Sequence, residues 1–229
     1  MGPYPPPFGG ISSLIKSLVE GFKEKDIKKI VVLYFAKSNN IRLEDGAIVY
    51  ERSLLKNSWQ IFNPFNWLYI PSLIRIYSGN NLSLKDYIVI LIKTILTNNL
   101  AKKYEINSTS FYQTENSLYL LLCRRIWGNK KSIALNVFGE LHDNKEYLLP
   151  KKKIILDMLS QSDEVIASSR FCADSFKSIG NDKNINVIFV GVSLTRFLDN
   201  QLLRDNYRKV LSIKKDSIVL LYMGRFNRQ

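Results

Sequence analysis

Residues 164–190 read EVIASSRFCADSFKSIGNDKNINVIFV, and the order of their signals is what decides the fold. Glu164–Ala167 is a short apolar run suited to a buried strand, and Ser169 stands where a side-chain oxygen caps the amides of a new helix. The helix runs through Ile179, and Gly180 follows as the residue that turns the chain left-handed and stops it. Asn186–Val190 is apolar again. A strand, a helix of about three turns and a second strand make a crossover unit of a parallel sheet.

The alternation extends outward in both directions. Toward the N-terminus it predicts a helix over Lys152–Ser160, a strand over Ser132–Phe138, a helix over Ser117–Trp127 and a strand over Thr109–Tyr112. Ser83 and Asp86 are spaced as a capping box for a helix reaching about Tyr104. Residues 57–80 are aromatic and interrupted by Pro and Asn, with room for one short helix. Ala47–Glu51 and Ile30–Phe35 are strands, the latter (IVVLYF) apolar on both sides as parallel strands are. Ile11, Leu14, Ile15, Leu18, Val19 and Phe22 form one face of an amphipathic helix directly after Gly9-Gly10. Toward the C-terminus, residues 199–211 read as helix and Ser217–Met223 (SIVLLYM) as a last buried strand. The fold class that follows is α/β, a Rossmann-like, doubly wound parallel sheet.

Composition narrows the function classes. The chain has 229 residues, 46% of them hydrophobic, enough for a large core. Its longest apolar runs, Tyr87–Ile92 and Leu118–Cys123, fall well short of the ~18 residues of a membrane span. No secretion signal opens the chain, so a cytoplasmic location is expected. Cys123 and Cys172 lie in apolar helical patterns and read as buried thiols. His142 is the one histidine, which rules out a multi-histidine metal site and leaves no metal site expected. The net charge of +13 implies an anionic partner. No recognition motif accompanies that charge, which sets nucleic acid aside.

In a parallel sheet ligands bind beyond the carboxyl ends of the strands, where loops enter helix N-termini. Pro5-Pro6-Pro7-Phe8-Gly9-Gly10 is such a loop. Its glycines let backbone approach a ligand without a Cβ in the way. This loop leading into ISSLIKSLVEGF resembles the opening of the group 1 (family 4-like) glycosyltransferases, which have the GT-B fold of two Rossmann-like domains across a cleft. EVIASSRFCADSFKSIG (164–180), INVIFVGVSLTRF (185–197) and SIVLLYMGRFNRQ (217–229) are similar to later family stretches in order and spacing.

The resemblance implies an N-terminal, acceptor-side domain over 1–211 and the first strand of a nucleotide-sugar-binding domain over 212–229. Family members begin with a strand before the Pro-Gly loop and continue past the G-R motif, so a chain cut at both ends is expected. Gly9, Gly10 and Arg225 would bind the donor phosphates, and Glu140 and His142, in LNVFGELHD (135–143), would face the acceptor together with Asp143. His142 is the one candidate for a catalytic group. Many relatives place a histidine where Phe138 stands, and His142 either substitutes for it or is a surface loop residue. Val190 and Ser193 replace the usual Asn and Asp of the crossover turn. The implied function is transfer of a glycosyl unit from a nucleotide-sugar to a saccharide or lipid-linked acceptor, with the donor as substrate and no cofactor or metal. Residues 1–229 alone would be inactive, because the family's acidic motif lies beyond them. The alternative, from the charge and the aromatics Trp59, Phe62, Phe65, Trp67 and Tyr69, is a basic module that docks on an anionic membrane surface without catalysis.

Overall fold

The computed structural model describes residues 10–25, 27, 29–143, 145–189, 201–214 and 216–220. The chain divides into two compact units, residues 1–190 and 191–229.

The first unit opens with α1 (Gly10–Glu24), whose Ile15 and Val19 bury against Val32, Tyr34, Ala47 and Val49. Each such side chain contributes roughly 1.5–3 kcal/mol by leaving water. β1 (Val31–Ala36) pairs in parallel with β3 (Ala47–Ser53), Val32 opposite Val49. β3 also pairs antiparallel with β2 (Asn40–Glu44), an edge strand missing from the sequence reading. The hairpin turn is Asp45-Gly46, both at positive φ (51° and 84°), as a two-residue turn of this hand requires.

Residues 57–80 hold two 3₁₀ turns, Ser58–Phe62 and Pro64–Tyr69, followed by α2 (Ile70–Tyr77). α3 (Leu84–Lys103) begins at the expected capping box: Ser83 Oγ accepts from the Asp86 N–H at 3.2 Å, and Asp86 Oδ2 accepts from the Ser83 N–H at 2.9 Å. This helix buries residues all around its circumference because sheet strands, α2 and α4 (Leu120–Trp127) enclose it. Inside it, Asn98 bridges two aromatic partners, donating to Tyr69 Oη at 3.0 Å and accepting from Trp127 Nε1 at 2.9 Å.

The second sheet runs β4 (Ser108–Tyr112), β5 (Ser132–Val137), β6 (Glu164–Ala167), β7 (Asn186–Val187), in that order and all parallel. Between β5 and β6 lie the short turns α5 (Glu140–Asp143) and α6 (Lys145–Leu148) and then α7 (Lys152–Gln161). α8 (Arg170–Ser178) joins β6 to β7. Its cap is as read: Ser169 Oγ accepts from the Cys172 N–H at 3.2 Å, and Gly180 turns at φ 86°. Phe111, Ile133, Leu135, Val137 and Val165 fill the core with Leu120, Leu122 and Phe176. Cys123 and Cys172 are free, buried thiols.

In the second unit α9 (Gln201–Val210) is followed by a segment drawn back onto it: Arg208 donates to the carbonyls of Lys214 at 2.6 Å and Ser217 at 2.7 Å. The described part of the last expected strand, Ser217–Leu220, forms no strand, and Ile218 and Leu220 are exposed. A β-strand exists only against a neighbour, and the described residues of this unit supply none.

Candidate active-site crevice

Because β4, β5 and β6 are parallel and in register, with Tyr112 opposite Asn136 and Val137 opposite Ala167, their carboxyl ends form one row. Three loops leave that row side by side: Gln113-Thr114, Phe138-Gly139-Glu140 and Ser168-Ser169. Gln113 stands at φ 64°, a strained position for a side chain of its size, and is held there by its N–H donating to the Asn136 carbonyl at 2.9 Å.

Glu140 lies buried in this row and ties two of its loops together. Its Oε1 accepts from the Thr114 N–H at 3.0 Å and the Thr114 hydroxyl at 3.3 Å, and its Oε2 accepts from the Phe138 N–H at 2.6 Å. Burial raises its pKa above the ordinary carboxyl value, against the pull of these donors. Both oxygens are thus engaged with backbone, which places Glu140 as a group that positions the loops. His142 lies two residues on, in α5.

Lys93 stands beside the same end of the molecule. Its ammonium donates to the Asn116 carbonyl at 3.2 Å and sits 5.1 and 5.6 Å from the ring centres of Phe35 and Tyr119. Burial lowers its pKa to about 8, with Glu115 pulling the other way. α1 contributes a helix end. Its last turn brings Lys23 beside Gly46 at the start of β3, so its first turn, opened by Gly10, points toward the carboxyl ends of β1 and β3.

Among the residues expected at the site, the structure brings Glu140 to the strand ends and Gly10 to the first turn of α1. Gly9 and Arg225 lie outside the described residues, as do Val190 and Ser193. Thr114, Gln113 and Lys93 are additions. The polar run Gln113-Thr114-Glu115-Asn116 directly after a strand was the available signal for the first two. Lys93 had none, since it interrupts an apolar helix as any snorkelling lysine does. Among the described residues no three His, Cys, Asp or Glu side chains gather closely enough to hold a metal ion. No described helix is long and apolar enough to cross a membrane. Trp59, Phe62, Phe65 and Trp67 are exposed on the two 3₁₀ turns.

No family profile and no curated protein matches the chain in sequence. Solved structures do match in shape. A structure described as "OtsA apo structure" superposes with TM-score 0.53 at 11% identity, covering 90% of this chain and 53% of that one. The alpha,alpha-trehalose 6-phosphate synthase from Burkholderia multivorans follows at TM-score 0.48 and 12% identity, covering 86% and 50%. The chain spans about half the length of the structures it matches. Its architecture is that of a Rossmann-like half of a GT-B fold.

Proposed function

We propose that the chain is the acceptor-side half of a glycosyltransferase of the group 1 type. The observation that carries this reading is the row of parallel strand ends in a GT-B half, with its loops pinned by the buried Glu140. In this reading Gly9 and Gly10 present backbone N–H groups, backed by the positive end of α1, to donor phosphates, and Arg225 clamps the departing diphosphate. Glu140 shapes the acceptor wall through the loops it holds, and His142 is the candidate for a catalytic group. Chemistry of this type rests on positioning and on stabilising the leaving phosphate charge. The nucleotide-sugar is the donor substrate, no metal or cofactor takes part, and the acceptor is a saccharide, free or lipid-linked, met at the cytoplasmic side of the membrane.

The test is a transfer assay with labelled nucleotide-sugars on the longest polypeptide the reading frame encodes, with residues 1–229 in parallel. Transfer that requires the longer polypeptide supports the reading. A folded long polypeptide that neither binds nor transfers any nucleotide-sugar overturns it, and turnover by residues 1–229 alone overturns the half-enzyme form of it. The exposed aromatics favour a second reading, a basic module docking on an anionic surface; chain that stays in solution beside anionic vesicles at low salt would rule this out.

A further inference from the structure

We propose that a cavity beside the last turns of α3 is a saccharide-binding site, separate from the strand-end crevice. It encloses about 440 Å³, within the usual range of small-molecule sites, and is walled by the two 3₁₀ turns on one side and by Asn99 and Lys102 of α3 on the other. None of the residues that line it belongs to the strand-end row around Glu140. The inference stands whether or not the crevice transfers sugar.

Three features of the wall select the ligand. First, Trp59 and Phe65 line it while remaining 62% and 79% exposed, offering flat apolar faces that stack on the C–H face of a pyranose ring. Second, the rest of the lining is amide-rich, with Gln60, Asn63 and Asn66 of the two turns beside the aromatic rings. Third, the remaining polar groups suit hydroxyls: Tyr69 Oη accepts from Asn98 and keeps its own proton to donate, and Asn99 and Lys102 add N–H donors.

The wall is also built to hold its shape. Asn63 Oδ1 accepts from the Phe65 N–H at 3.1 Å, Asn66 Nδ2 donates to the Gln60 carbonyl at 2.8 Å, and Trp67 Nε1 donates to the Ile61 carbonyl at 2.7 Å. These bonds fix both turns before any ligand arrives, which lowers the entropic cost of binding. No acidic residue occurs between Glu51 and Asp86, so neutral sugars and those bearing a carboxylate are both admitted. A lipid surface would match the exposed aromatics and the basic charge, but hydrocarbon leaves the polar wall of Asn63, Asn66, Asn99 and Lys102 without partners.

The experiment applies the 229-residue chain to a glycan array, followed by saturation-transfer NMR with each retained glycan at about 1 mM, and tests Trp59→Ala, Gln60→Ala and Phe62→Ala beside it. Phe62 is exposed next to the cavity without lining it. Circular dichroism confirms that each variant is folded. The expected result is retention of at least one glycan class, weakened about tenfold or more by W59A and by Q60A, equivalent to about 1.4 kcal/mol, and unchanged by F62A. Retention of no glycan, or binding indifferent to both W59A and Q60A, overturns the proposal. Sedimentation with phosphatidylglycerol vesicles, reduced by F62A as much as by W59A and unaccompanied by glycan retention, overturns it in favour of a membrane-docking surface.

Discussion

Replacing Glu140 by Ala removes the acceptor of two backbone N–H groups, those of Thr114 and Phe138, and of the Thr114 hydroxyl. Each buried donor left unsatisfied costs about 1–3 kcal/mol. Against that stands the relief of burying a carboxylate, which is what raises the Glu140 pKa. The net loss expected on E140A is on the order of 3 kcal/mol near neutral pH. E140Q keeps one carbonyl oxygen for the Thr114 N–H but turns an NH₂ toward the Phe138 N–H, and about half that loss is expected. The pH dependence carries a sign. A carboxyl whose folded pKa is raised binds its proton more tightly in the native state, so its contribution to stability is greatest below the unfolded value near 4.3 and declines as pH rises through the folded value. E140Q removes this decline, so the margin by which wild type exceeds the variant is widest toward acid and narrows as pH rises toward neutral, apart from other groups they share. Urea unfolding followed by far-ultraviolet circular dichroism between pH 4 and 8 measures it. A shift under about 0.5 kcal/mol for E140A at pH 7 would be within the range of unremarkable surface changes and would refute the claim that Glu140 ties the loops.

Arg124 donates from Nε to the Gln161 carbonyl at 2.9 Å, from Nη1 to those of Gly128 and Lys131 at 2.8 and 3.2 Å, and from Nη2 to Asp163 Oδ2 at 2.5 Å. R124A is expected to cost about 1–3 kcal/mol in urea unfolding, mainly from the carbonyls it leaves without a donor because Asp163 is itself exposed, and a loss under about 0.5 kcal/mol contradicts the assignment. Partial burial pushes the Asp163 pKa up, but the Ile133 N–H and Arg124 outweigh it and hold it low. Its contribution is therefore present above the unfolded value of ~3.9 and fades as pH falls through the folded value, a decline that D163N should abolish. Lys93 has its folded pKa lowered to about 8, so stability should rise from there toward the unfolded value near 10.4. Lys93→Met should flatten that rise, and an unchanged alkaline limb would count against its burial. Burial also pushes the Cys123 thiol up, so Ellman's reagent should reach it only on unfolding; prompt reaction in the native chain would show the core to be open there.

The parts of this fold that were legible in the sequence are those whose signals lie close together along the chain. Ser83 with Asp86, and Ser169 with Gly180, specify helix ends through atoms three to eleven residues apart, and the structure forms both. β2 escaped although Asn40–Glu44 alternates polar and apolar residues and the Asp45-Gly46 turn marked it: it is a five-residue edge strand whose Ile41 and Leu43 stay exposed. Glu140 shows where local reading stops. Directly after an apolar strand, an acidic residue reads as a ligand group aimed into the crevice. Its actual neighbours are set by the register of β4 on β5, which carries Thr114, 26 residues upstream, to its carboxylate. Each of its oxygens accepts a backbone N–H, so its substitution acts on the strand-end loops through Thr114 and Phe138. The same pairing that hides the residue from sequence reading thus gives it its structural part: it ties together the loops that leave two neighbouring strand ends.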